Sequence, residues 1–139
     1  MSGAEAIVLR ARALVGTRFR PQGRSREQGL DCVGVVMLAA GIPRDRLPDD
    51  YPLRGCAIDK AIDRASTELL ALGFISLPLD QCRPGDVLVT QSGSQQLHAV
   101  VLTPGGYVHA HIGQRRVVET PGAVPWPPLA AWRAPIVEA

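Results

Sequence analysis

One cysteine and two histidines hold most of the chemistry that this chain could perform. Cys32 lies in Leu30-Asp31-Cys32-Val33-Gly34, His98 in Leu97-His98-Ala99-Val100-Val101-Leu102, and His109 in Tyr107-Val108-His109-Ala110. A thiol becomes a good nucleophile when a base stands within hydrogen-bond reach, and the base works best when a third group orients it. Cys32, His98 and His109 supply those three parts. The matching reaction is attack of sulfur on a carbonyl carbon, the base first taking the thiol proton and later giving it to the leaving amine. Taken singly, a buried cysteine is more often a small core residue than a nucleophile. Metal binding is the rival for the histidines, because His109 and His111 are two apart in a strand and face one side. No acidic or cysteine ligand is placed near them in the sequence, so neither a metal nor a cofactor is expected.

The elements that position these groups read clearly. Asp31 is a good N-cap, since its carboxylate can accept the free N–H groups of a first helical turn. Gly41 suits the left-handed position just past the helix, and Pro43 blocks continuation. The residues between are Val, Met, Leu, Ala and Gly with no charge, so the helix is apolar all round and belongs inside the domain. Cys32 then sits at the positive end of a helix dipole, which is expected to lower its pKa toward thiolate. Its backbone N–H is a natural donor to a developing oxyanion. His98 and His109 fall in two strands joined by the short Pro104-Gly105-Gly106 turn. Counting outward from Gly105 brings the two histidines to similar heights on one face, where they can touch.

The remaining chain is the support. At 139 residues it is expected to be one domain, 1–139, with a core of Val, Leu, Ile and Ala, because aromatic residues make up only 4%. The net charge of +2 is too small to point to nucleic acid. Three cysteines, Cys32, Cys56 and Cys82, give an odd number without a C-x-x-C pair, which argues against a disulfide framework or a zinc site. Met1 to Gly16 lacks the shape of a signal peptide, and no stretch is long enough to span a bilayer. Cytoplasmic synthesis is therefore expected, with delivery by something other than a leader of its own. Helices are expected over Ala4–Val15 and Asp59–Leu72, and Ile42 to Gly55 reads as irregular. The loop Thr17–Gly29 carries Arg18, Arg20, Arg24 and Arg26 directly before the Cys32 helix. It reads either as a solvated loop or as a cationic wall for carboxylates. Strands are expected at Val87–Thr90, Leu97–Thr103, Tyr107–Ile112 and Arg115–Thr120, after the turn Arg83-Pro84-Gly85-Asp86. Pro121 to Pro128 is proline-rich, with Trp126 and Trp132 as packing anchors. Helices first and antiparallel hairpins after is an α+β layout.

Four stretches in this order resemble the NlpC/P60 family of cysteine peptidases: Asp31-Cys32-Val33-Gly34, Arg83-Pro84-Gly85-Asp86-Val87-Leu88, His98-Ala99-Val100-Val101-Leu102 and Tyr107-Val108-His109-Ala110. Each is weak alone; in this order, from Gly16 to about Thr120, they are specific. The resemblance implies a papain-like α+β fold, N-terminal helices packed on an antiparallel β-sheet, and cleavage of peptidoglycan stem peptides, often at the γ-D-glutamyl-diaminopimelate link. It makes Cys32 the nucleophile, His98 the base and His109 the group that orients His98, and gives His111 no catalytic place. Phe19 stands where many members have a loop tyrosine, so one substrate or oxyanion contact differs. Arg20 and Arg24 are the candidate grips for a stem-peptide carboxylate. The Asp-Cys-Val-Gly variant in place of Asp-Cys-Ser-Gly, and the short single domain, look more like the phage-tail and gene-transfer-agent branch, whose tail or particle proteins would then be partners. The rivals are an idle structural tail domain and an amidase or acyltransferase on the same fold.

Overall fold

The computed structural model describes residues 2–46 and 57–135. Helix α1 spans Gly3–Ala13, capped by the Ser2 side chain, which accepts the Glu5 amide. A small two-stranded sheet follows, β1 (Arg24–Ser25) against β2 (Gly29–Leu30). It leads directly into α2 (Cys32–Ala39), and α3 covers Ile58–Ala71. Six further strands form the main sheet: β3 (Ile75–Leu77), β4 (Val87–Gly93), β5 (Gln96–Thr103), β6 (Gly106–His111), β7 (Arg116–Pro121) and β8 (Pro128–Arg133). Their order is β3-β8-β4-β5-β6-β7, all neighbours antiparallel. The α+β layout with helices preceding the sheet is the expected one. The stretch Ile42 to Gly55 is described only to Arg46, as a short 3-10 turn over Arg44–Arg46, and Cys56 lies outside the described residues.

Besides the small β1–β2 pair, which forms where a loop was expected, two strands of the main sheet are additions to the sequence reading. β3 is a short edge strand, and β8 grows out of the proline-rich stretch to insert between β3 and β4. Trp132 of β8 is buried, the anchor it was expected to be. The Arg83–Asp86 turn is tied to this late strand. Asp86 accepts the Arg83 amide at 3.0 Å, and Arg133 of β8 reaches both its oxygens at 2.9 Å.

The core lies between α1, α2 and the sheet. Ile7 and Ala11 of α1 and Leu14 at its C-cap pack with Val35, Val36 and Ala39 of α2, and these meet Val101, Val108, Ala110 and Val117. Burying such a valine fully contributes about 1.5 kcal/mol or more. Helix α2 is apolar all round because it is enclosed by α1, β5 and β6. Its Gly34 has a packing reason: a Cβ there would stand 2.5 Å from the Gly23 carbonyl oxygen. No helix among the described residues is long and apolar enough to cross a membrane.

Candidate active site

The start of α2 is built as its sequence suggests. One Asp31 oxygen accepts the Gly34 amide at 2.9 Å and the Arg24 guanidinium at 3.1 Å, and the other accepts the Gln22 amide at 2.7 Å. Asp31 is fully buried. Gly41 takes the left-handed conformation, φ +78°, just past the helix. The loop before Asp31 is thus tied to the cap through Gln22 and Arg24, and its Phe19 amide donates to the Arg115 carbonyl just ahead of β7.

Cys32 is buried, 8% exposed. The Ala99 amide on β5, next in sequence to His98, lies near enough to the sulfur to favour its charged form. The thiol pKa differs from the expectation in direction. Burial pushes it up to about 11, and the Asp31 charge adds to the rise. The amides of Ala99, Val33 and Cys32 itself pull it back, so the helix start acts in the expected sense. Desolvation of a thiolate is the larger effect. The resting sulfur is a protonated thiol.

His98 and His109 meet. His98 Nε2 and His109 Nδ1 are 2.8 Å apart, and both rings are buried. They are diagonal neighbours rather than level ones. The β5–β6 ladder runs Thr103↔Gly106, Leu102↔Tyr107, Val101↔Val108 and ends there. Continuing that register would set His98 across from His111, one pair beyond His109 on the same face. The rings stand edge to face with centroids 5.0 Å apart. Burial pushes both imidazoles down to about 4, with the charge of His111 adding to the shift in His98 and those of His98 and His111 in His109. Both are neutral near pH 7. No hydrogen bond joins Cys32 to His98 in this arrangement; the link between them is Ala99, which follows His98 in β5 and whose amide acts on the Cys32 thiol.

Trp126 is a site residue that the sequence reading placed only as a packing anchor. Its ring centroid lies 4.9 Å from that of His98 and 5.6 Å from that of His109. It covers the pair from the β7–β8 connection, and only the late insertion of β8 brings it there.

The expected substrate residues fare differently. Arg24 corrects the cationic-wall expectation: its guanidinium turns inward onto Asp31 and the Gly23 carbonyl, and its side chain is 11% exposed. Arg20 is exposed. Arg18 is exposed and donates to the Glu27 carbonyl, and Arg26 is exposed. Phe19 is half-buried, packed on the core.

No protein-family model matches this sequence, and no curated protein matches it. Solved structures do resemble the fold. NlpC2 from Trichomonas vaginalis superposes with a TM-score of 0.66 at 16% identity, over 96% of this chain and 46% of that one. The chain thus spans about half the length of that relative. The NlpC/p60 domain of the peptidoglycan hydrolase SagA superposes with a TM-score of 0.61 at 22% identity, over 92% of this chain and 96% of that one. The peptidoglycan hydrolase RipB from Mycobacterium tuberculosis gives 0.55 at 19% identity, over 99% and 66%. The fold of the described residues, three α-helices with a six-stranded antiparallel main sheet, is that of NlpC/P60 domains.

Proposed function

We propose that this chain is an NlpC/P60 cysteine endopeptidase that hydrolyses peptidoglycan stem peptides at a γ-D-glutamyl-diaminopimelate type bond. The observation that carries the reading is the buried His98–His109 pair, 2.8 Å apart across β5 and β6, with the amide that follows His98 acting on the Cys32 thiol. The neighbours SagA and RipB, described as peptidoglycan hydrolases, supply the substrate class.

In this reading His98 is the base. Its Nε2 is taken up by His109, which leaves Nδ1 to receive the thiol proton. Cys32 starts neutral, so the proton moves to His98 as sulfur attacks the carbonyl carbon. The resulting imidazolium then protonates the leaving amine, and water hydrolyses the thioester with His98 as base again. The Cys32 backbone N–H faces the developing oxyanion. The Asp-Cys-Val-Gly variant favours work within a phage-tail or gene-transfer-agent particle, which detection of the chain in purified particles would test.

The decisive experiment is incubation with purified wall fragments, followed by mass analysis of the peptides. The expected result is a new γ-D-glutamyl carboxyl terminus and a free diaminopimelate amine. Transfer of the acyl group to an added amine in preference to water would move the reading to an acyltransferase. Intact peptides would leave the structural-domain alternative.

A further inference from the structure

Beside the histidine pair the sheet carries a hollow of about 210 Å³. Ser92, Gln96, His98, His109, His111 and Trp126 line it, and among the described residues neither Cys32 nor any acidic residue does. Two buried polar atoms in these lining residues have no protein partner: His109 Nε2 and Ser92 Oγ. Buried polar groups are rarely left so, and each such case calls for a ligand or a reason.

The hydrogens on these rings follow from the chemistry. For His98 to accept a proton at Nδ1, its Nε2 must carry hydrogen and donate it to His109 Nδ1. His109 then holds its own hydrogen on Nε2, the unpartnered atom. His111 Nδ1 accepts the Gln114 amide at 3.1 Å, so its ring hydrogen also sits on Nε2. The Ser92 hydroxyl and the Gln96 amide can donate as well. Among the described residues the lining is rich in donors and has no carboxylate, which suits a ligand group that only accepts. A carboxylate offers about four lone-pair sites and makes stronger bonds than a neutral acceptor.

We infer that this hollow binds a carboxylate of the substrate, on the leaving-group half, through His109 Nε2–H and the Ser92 hydroxyl, with His111 and Gln96 as further donors. The leaving-group half is indicated because the hollow touches His98, which protonates the leaving amine, and does not touch Cys32. The inference rests on the hydrolase reading above, and it moves carboxylate recognition from the inward-turned Arg24 to the sheet.

The test uses matched peptides of γ-linked D-glutamate and diaminopimelate, with the diaminopimelate carboxylates free or converted to carboxamides. Binding is measured by calorimetry on Cys32→Ala protein, and turnover on the parent. The acid peptide is expected to bind about tenfold tighter than the amide or better, through charge-assisted bonds. Ser92→Ala in the same background is expected to cut that preference about threefold or more, and Gln96→Leu to cut it less. Equal binding of both peptides, binding of neither, or a preference untouched by Ser92→Ala overturns the site. Turnover of both peptides without a preference sinks the carboxylate site and keeps the hydrolase. A preference in binding without turnover keeps the site and sinks the hydrolase.

Discussion

The candidate site holds two buried polar clusters, and they are built on opposite plans. The Asp31 cluster is closed: both carboxylate oxygens are engaged, by the amides of Gln22 and Gly34 and by Arg24. The His98–His109 cluster is joined within itself but ends on an unpartnered nitrogen that faces a hollow. A closed cluster holds its shape and gives rigidity to whatever is attached to it. An open one keeps capacity for a proton or a ligand. Here the first fixes the helix that carries the sulfur, and the second carries the nitrogen that the proposed reaction needs.

The sharpest break between the clusters is in turnover. Cys32→Ala should abolish hydrolysis of wall fragments while the thermal transition and circular dichroism stay those of the parent. His98→Ala should lower kcat by several orders of magnitude, because it removes the base. His109→Ala should cost less, about a hundredfold, since it removes orientation and leaves the base in place. Equal losses for the two histidine variants would make His109 more than a positioning residue. Unchanged turnover in His98→Ala would refute the assignment of the base.

Next in size is the closed cluster, read in stability and in thiol reactivity together. Asp31→Asn keeps a capping oxygen but removes a buried charge that Arg24 and two amides answer. A loss of about 2 kcal/mol is expected, by urea unfolding. The same change removes the charge that helps hold the Cys32 thiol high, so its pKa should fall and alkylation at pH 8 should speed up. A protein that is less stable yet more reactive at sulfur is the signature. Slower alkylation would show that Asp31 acts on Cys32 by position and not by charge.

The open cluster should show itself in acid. Both rings are held at about 4, below the ordinary imidazole value, mainly by burial. The folded state therefore resists protonation that the unfolded chain accepts at about pH 6.5. Stability from neutral His98 and His109 is complete above that pH and is lost as pH falls toward 4. The urea midpoint should drop across this window, and a His98→Gln, His109→Gln double variant should flatten the drop. For the same reason kcat/KM should hold from pH 7 to about 5 and fall only toward 4, where the base becomes protonated. An acid limb near 6.5 would mean that the base is far better solvated than this structure has it.

Much of this was readable in the residues, because the informative signals are local. The Asp31 cap, the Gly41 stop and the apolar run between them define α2 without knowledge of anything distant. The hairpins of β4 to β7 follow from alternation and from turns such as Pro104-Gly105-Gly106. What escaped depends on partners far along the chain. β8 begins after prolines and runs Pro128-Leu129-Ala130-Ala131-Trp132-Arg133, with little alternation, and its place between β3 and β4 is set by pairing with them. Trp126 reaches the histidines only through that pairing. The direction of the Cys32 shift escaped for a related reason: the dipole is local, but the burial that outweighs it comes from the sheet. The histidine pair was found, and the ladder's register made it diagonal.

The smallest effect divides two arginines that look alike in the sequence. Arg24 and Arg20 lie four residues apart in one loop, and both were candidates for gripping a carboxylate. In the fold, Arg24 has a carboxylate already, that of Asp31, while Arg20 is exposed. Arg24→Gln should therefore act on stability, by about 1–2 kcal/mol, since it removes a charged hydrogen bond to a buried acid. Its effect on kcat/KM should follow from the loosened helix start and be absent from the salt dependence. Arg20→Gln should leave stability within about 0.5 kcal/mol, as exposed substitutions usually do. If Arg20 meets substrate, KM for carboxylate-bearing peptides should rise about two- to fivefold with kcat unchanged, and added salt should erase the difference, because an exposed contact is screened. Parent and Arg20→Gln with the same KM at low salt would make this loop a solvated one, and would leave the donors on the sheet to recognise the carboxylate alone.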